Sequence, residues 1–235
     1  MSVVSRIACI SLALTLWTPT VASAAPGDKS TTEAAGGNNL QLITEANAAL
    51  ARNDYQTALT AALKVQAQTP ADKFVVQQVI AHVSLARNDF AGAAEALESM
   101  HATGEGAAAD LQISHRALAQ LRYQTKEFAK SEAAVIDYRK RFGYDDDMDH
   151  ILAQSQYAQN KFAEAALTVR GLVKRAEEVR RNPSEAVLEL WLAAEFKATN
   201  PTGVYDAGRA LVKYYPTEKH VRDFKTLRGL TRPGD

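Results

Sequence analysis

Leu50-Ala51-Arg52-Asn53-Asp54-Tyr55 recurs as Leu85-Ala86-Arg87-Asn88-Asp89-Phe90, offset by 35 residues at every position. Self-similarity at a period of about 34 residues marks stacked helical hairpins, each too thin to bury its apolar face alone. The residues say how one hairpin is built. Leu42 to Ala51 is an apolar, Ala-rich run that suits a helix. Arg52-Asn53-Asp54 interrupts it, because Asn and Asp tolerate turn conformations and Asp caps a new helix by accepting a backbone N–H. A second helix is predicted from Tyr55 to about Ala67. Thr69-Pro70 ends it, since proline restricts the residue before it and can only open the next helix.

The same marks continue down the chain. Aromatics at the predicted turns, Tyr55, Phe90, Phe128 and Phe162, are 35, 38 and 34 residues apart, and the loop Gly104-Glu105-Gly106 accounts for the longest interval. Small residues recur at fixed distances from them: Ala46, Ala49 and Ala58 in the first unit, Ala81, Ser84 and Ala93 in the second. The third carries Ala119 and Ser131, the fourth Ala153 and Ala165. Pro70 closes the first unit, and Glu105 stands where the second would have its proline. On these residues the chain resembles the tetratricopeptide repeat (TPR) family over roughly residues 39–215. It departs from the family pattern in lacking the family's Trp and in placing Ala where Gly is usual. The register of the fifth unit is open, set either on Tyr205 or on Pro216.

The resemblance implies an all-α fold: an α-solenoid of antiparallel helical hairpins with a C-terminal capping helix. The units are expected at about 39–72, 73–106, 107–145, 146–182 and 183–216, with the cap at 217–229. Ala46, Ala58, Ala81, Ala93, Ala119, Ala153 and Ala165 would let paired helices approach closely. Tyr55, Phe90, Phe128 and Phe162 would fill the wedge beside them.

Residues 1–24 read as a secretory signal peptide: Arg6 supplies the positive start, Ile7 to Trp17 the apolar core, and Ala22-Ser23-Ala24 the cleavage site. The apolar run is too short to span a bilayer. This style of signal points to a bacterial periplasm. Residues 25–38, rich in Gly, Ser and Thr, are expected to form a disordered linker. Cys9, the single cysteine, lies within the signal, so the processed chain would carry no disulfide. The whole chain has 27 basic and 27 acidic residues, a balance that disfavours nucleic acid, which wants a basic face.

Catalytic patterns are missing: no H-E-x-x-H, G-x-S-x-G, phosphate loop or glycine-rich dinucleotide turn occurs. The expectation is a non-enzyme without cofactor or metal. The acidic run Asp145-Asp146-Asp147-Met148-Asp149-His150 reads as a helix start whose carboxylates favour the positive helix end; a divalent-cation site is the alternative. The basic residues Arg139, Lys140, Arg141, Arg170, Lys174, Arg175, Arg180 and Arg181 form either a solvated face or a patch for an acidic partner.

In the family the first helix of each repeat lines the concave face. Carried through the registers above, the groove positions fall on Asn47, Gln78, His82, Arg116, Gln120, Tyr123, His150, Gln154 and Tyr157. Amides offer donors and acceptors for a peptide backbone, and Tyr and Arg offer anchoring surface. Leu40, Ile43, Leu50 and Val75 occupy further inward positions and read as packing between repeats. The family's clamp for acidic C-termini is not implied, because only Asn47 matches it in place. The function read from the chain is thus a scaffold or adaptor that holds a segment of a partner protein. The alternatives are a self-associating structural module, with homo-oligomers, or an accessory subunit of an envelope enzyme.

Overall fold

The computed structural model describes residues 32–231, with side chains from 37 to 227. The expected signal peptide lies outside the described residues. Among the described residues there are eleven helices and no strand. They are α1 (Thr32–Ala51), α2 (Tyr55–Lys64), α3 (Pro70–Ala86), α4 (Phe90–His101), α5 (Ala108–Gln124), α6 (Phe128–Phe142), α7 (Asp146–Ala158), α8 (Phe162–Glu178), α9 (Glu185–Lys197), α10 (Pro201–Tyr214) and α11 (Glu218–Thr231). Each odd-numbered helix up to α9 packs on the even one that follows, and each even one packs on the next odd one. The molecule is an α-solenoid of five hairpins ending in α11.

One turn closes all five hairpins. Asn53, Asn88, Lys126, Asn160 and Thr199 sit in the left-handed region, at φ 58°, 58°, 62°, 62° and 54°. The next residue donates its N–H back five positions: Asp54 to the Ala49 carbonyl, Asp89 to Ser84, Glu127 to Arg122, Lys161 to Gln156 and Asn200 to Glu195, all at 2.8–3.0 Å. The left-handed residue itself donates three positions back, from Asn53 to Leu50 through Thr199 to Phe196. This double closure is the Schellman motif, which satisfies helix-end carbonyls that would otherwise lack partners. The following helix is capped at once where the sequence allows. Asp54, Asp89 and Asn200 accept from the backbone of Thr57, Gly92 and Gly203.

Counting from this turn settles the fifth unit. The residue two after it is Tyr55, Phe90, Phe128, Phe162 and then Pro201. Pro70 follows Tyr55 by 15 residues and Pro216 follows Pro201 by 15, so the register set on Pro216 holds. Five residues after the turn stand Ala58, Ala93, Ser131, Ala165 and Val204, every one buried. Ser131 keeps its hydroxyl satisfied there by donating to the Ala119 carbonyl at 2.9 Å. Ala46, Ala81, Ala119 and Ala153, seven before the turn, are buried as well.

Four residues before the turn, the side chain is small in the first two units and large and polar in the last three: Ala49, Ser84, Arg122, Gln156, Glu195. The last three are buried and polar, and each has partners. Arg122 pairs with Glu98 and Glu127. Lys130 and Arg122 together hold the Glu127 carboxyl at about 2, below its usual range. Gln156 takes a hydrogen bond from Thr168 at 2.8 Å. Glu195 accepts from Trp191 Nε1 at 2.9 Å and Asn200 Nδ2 at 2.8 Å. Gly203 makes room for that carboxylate: a Cβ there would lie 2.2 Å from the Glu195 Cδ.

The structure departs from the sequence reading at three places. Helix α1 begins at Thr32, inside the stretch 25–38 expected to be disordered. Asn39, the eighth residue of α1, ties the helix to the chain after α2: it is buried, its Nδ2 donates to the Gln66 carbonyl and its Oδ1 accepts from the Gln66 N–H, both at 3.0 Å. The same clamp holds the Gln66 backbone after Val65 has turned extended, so α2 stops at Lys64 instead of Ala67. Phe90 is 37% exposed and fills no wedge. Phe128 and Phe162 pack against Tyr123 and Tyr157, five residues earlier, at ring separations of 5.5 and 5.2 Å. Phe90 has Leu85 at that place and so no ring to close on.

The layer of odd-numbered helices is not continuous. α1 meets α3, α5 meets α7 and α7 meets α9, but among the described residues α3 does not reach α5, and α9 does not reach α11, through the backbone. Gly106, at φ +114°, lies against the Phe74 ring in the first gap, where a Cβ would come within 2.9 Å of the ring.

Two outcomes follow for folding. Thr199 is a β-branched residue held at positive φ, whereas Asn tolerates that conformation. Thr199→Asn should stabilise by about 0.5–1 kcal/mol in a urea titration. Ala93→Leu should overpack a closed helix crossing and cost about 1–3 kcal/mol, while Ala107→Leu, at the exposed start of α5, should cost little.

Candidate functional site

Helices α5, α7 and α9 lie side by side, so equivalent positions on them form rows. Three before the turn the row reads Tyr123, Tyr157, Phe196; six before, Gln120, Gln154, Ala193; ten before, Arg116, His150, Glu189. Tyr123 and Tyr157 are half-buried, each resting on its own phenylalanine, and burial raises the Tyr123 hydroxyl pKa. Phe196 is 61% exposed. In the first two hairpins the same rows hold Leu50 and Leu85, Asn47 and His82, Ile43 and Gln78.

Eight of the nine residues placed on the groove by sequence are half-buried: Asn47, His82, Arg116, Gln120, Tyr123, His150, Gln154 and Tyr157. Gln78 is not on an open face. It is 5% exposed, because α3 is apolar nearly all round and sits among neighbours on several sides. His82 donates from Nδ1 to the Gln78 carbonyl at 3.1 Å, and burial lowers the pKa of both His82 and His150. Arg116 is committed to the fold, joining α5 to the start of α7 through Asp145 and, at 3.5 Å, Asp147.

That contact also explains the acidic run. Asp145 is the N-cap of α7 and accepts from the N–H groups of Asp147 and Met148 at 3.0 and 3.1 Å. Burial works against its charge, but Arg116 and those N–H groups outweigh it and hold its carboxyl below the usual range. Asp149 is buried between Arg139 and Arg175, and Asp146 pairs with Arg175 and Arg181. Tyr144 lies over both Arg139 and Arg175, 5.2 Å from ring centre to each guanidinium. Several of the basic residues are therefore engaged in ion pairs of the fold: Arg170 reaches the buried Glu195 at 3.3 Å, while Lys174 meets Glu178 at 3.8 Å on the open surface.

The C-terminal end of the row opens into a cavity of about 340 Å³. Tyr157 of α7, Leu192 and Phe196 of α9, Leu211 of α10, and Phe224 and Leu227 of α11 give it an apolar wall. It occupies the gap where α11 leans on α10 and reaches α9 through side chains but not through the backbone. Sequence reasoning missed Leu192 and Phe196 because the fifth register was open, and Phe224 because α11 lies beyond the repeats. Setting that register on Pro216 would have carried the Tyr123–Tyr157 row straight to Phe196.

Other buried histidines belong to the junction between α4 and α5. His101 and His115 stack at 3.7 Å, and His101 Nε2 meets Ser114 Oγ at 2.8 Å. Burial, then the neighbouring His115 and Arg141, push the His101 pKa down to about 3, against a smaller pull from Asp137. Burial also lowers that of His115. These rings bind protons more weakly in the folded chain than in the unfolded one. Their contribution is therefore complete above about pH 6.5 and is lost as pH falls from there towards 3. Between pH 7 and pH 5, His101 alone should remove on the order of 1–2 kcal/mol. Denaturant titrations at both pH values should show that loss, and His101→Gln should reduce it.

No sequence-family profile matches the chain, and no curated protein matches it in sequence. Solved structures do. The crystal structure of YrrB, described as a TPR protein with an unusual peptide-binding site, superposes with a TM-score of 0.57 at 10% identity, covering 84% of this chain and 98% of that one. The structure of PilF from Pseudomonas aeruginosa gives a TM-score of 0.44 at 11% identity, covering 82% and 99%. Five hairpins closed by one repeated turn, with small residues at their crossings and YrrB as a structural likeness over most of the length, make this fold that of the tetratricopeptide repeat proteins.

Proposed function

We propose that the protein is a non-catalytic scaffold that holds an extended segment of a partner protein along α5, α7 and α9. The observation that carries this reading is the row Tyr123, Tyr157, Phe196 ending in the apolar cavity. Gln120 and Gln154 run beside the aromatics and can exchange hydrogen bonds with a peptide backbone. The cavity has room for one large apolar side chain of that segment, and aromatic contacts of this kind dominate binding energy at interfaces. YrrB, which shares the fold, is described as having a peptide-binding site of its own.

The compartment we propose is the bacterial periplasm, on the strength of the Ala22-Ser23-Ala24 site and the apolar run before it. Among the described residues no helix is long and apolar enough to cross a membrane. Mass spectrometry of the protein from envelope fractions should find the chain beginning at Ala25; a mature chain that keeps Met1 would refute export.

Crosslinking in cells followed by mass spectrometry should identify the partner. Tyr157→Ala combined with Phe196→Ala should then cut its capture at least tenfold, since one such anchor typically carries about 2 kcal/mol or more. Phe196→Ala alone should leave melting nearly unchanged, because Phe196 is largely open to solvent. Tyr157→Ala should lower it, because Tyr157 packs on Phe162, so capture is compared where both variants are folded. A well-folded double variant that captures the partner fully would end the assignment.

A further inference from the structure

Glu185 and Glu189 are four residues apart on α9 and so share a face. His220 of α11 faces them, with Nε2 3.5 Å from a Glu185 oxygen and 3.9 Å from a Glu189 oxygen. Its side chain is 6% exposed. The other ring nitrogen, Nδ1, is 2.9 Å from the Tyr215 carbonyl, which can only accept, so Nδ1 carries the hydrogen. In the neutral ring the lone pair is then on Nε2 and aimed at the two carboxylates. An imidazole fixed in this way by a backbone carbonyl is the usual arrangement of a metal-ligating histidine.

The separations fit the same reading. They exceed the ordinary hydrogen-bond range. Ligands about 2.0–2.2 Å from a tetrahedral zinc ion lie about 3.4 Å from one another. All three donor atoms fall within 4.8 Å of one another. Lys219 approaches Glu189 at 4.0 Å, but its side chain is 64% exposed and free to swing into solvent.

From this geometry we infer that Glu185, Glu189 and His220 bind a divalent cation of the zinc type, which clamps α11 to α9. One imidazole and two carboxylates suit that ion, with water in the fourth position. Glu189 and His220 also line the cavity, so the cation sits in its wall and sets the distance between the two helices there. The site bridges the place where α9 and α11 make no backbone contact.

The test needs no partner, so its failure would leave the proposed function standing. Untagged, chelator-stripped protein is titrated with zinc chloride in a calorimeter, and amide exchange is followed by mass spectrometry with and without zinc. The expected result is one ion per chain and slower exchange across Glu218–Thr231. Glu189→Gln and His220→Gln should each weaken binding at least tenfold, and His150→Gln, on α7, should leave it unchanged. Should His220→Gln fail to fold, Glu185→Gln and Glu189→Gln carry the same test from the exposed side. Zinc uptake that is absent in the wild type, or undiminished in the glutamine variants, overturns the site and leaves an ion pair between the two helices.

Discussion

The left-handed residue between the two helices of each hairpin is the constraint on which the solenoid rests. It reverses the chain within three residues and returns two N–H groups to the helix just ended. With that geometry fixed five times over, the second helix of every unit leaves at a similar angle, and its fifth residue past the turn meets the first helix. Only a small side chain fits at such a crossing, which is why Ala58, Ala93, Ser131, Ala165 and Val204 are all buried there. The turn tolerates Asn in three units, Lys in one and Thr in another. Its hydrogen bonds come from the backbone, so the side chain at that place is free to vary.

The site four residues before the turn shows what the repeat does with the space left over. Ala49 fills it with a methyl group, whereas Arg122, Gln156 and Glu195 fill it with polar groups that must find partners away from water. Each draws them from its surroundings, Glu98 and Glu127 in one unit, Thr168 in the next, Trp191 and Asn200 in the last. Removing one partner of such a buried charge strands the other, at a cost of about 3–5 kcal/mol. The three units thus differ in chemistry while sharing a backbone, and each hairpin is matched to its own neighbours.

How much of this could be read from the chain depended on whether the signal was local. Asn53-Asp54 and Asn88-Asp89 announce the turn through residue types that favour it, so the hairpins there were legible. Lys126 and Thr199 adopt the same conformation without any preference for it, and the fifth register stayed open. Asn39 was invisible because its value lies in reaching Gln66, 27 residues away. Gln78 read as a groove residue by position alone, whereas its burial depends on which helices surround α3. The cavity was beyond reach for the same reason: α9 and α11 form it by failing to meet through the backbone.

That failure has a counterpart further up the chain. Where α1 meets α3, or α5 meets α7, adjoining units are held by two parallel rows of contacts, one on either side of the intervening helix. Between the second and third units the described residues supply one row, α4 against α5. A joint with a single row resists bending across its open side much less than one with two. Since each repeat leans only on its neighbours, stiffness along a solenoid is set joint by joint. The joint between α1–α4 and α5–α10 therefore rests on α4 against α5, where Leu97, Met100, Leu118 and Leu121 share one buried cluster and His101 stacks on His115. Thermal bending at that joint would change the angle between Asn47 and His82 on one side and the Tyr123–Tyr157–Phe196 row on the other, while the row itself keeps its shape.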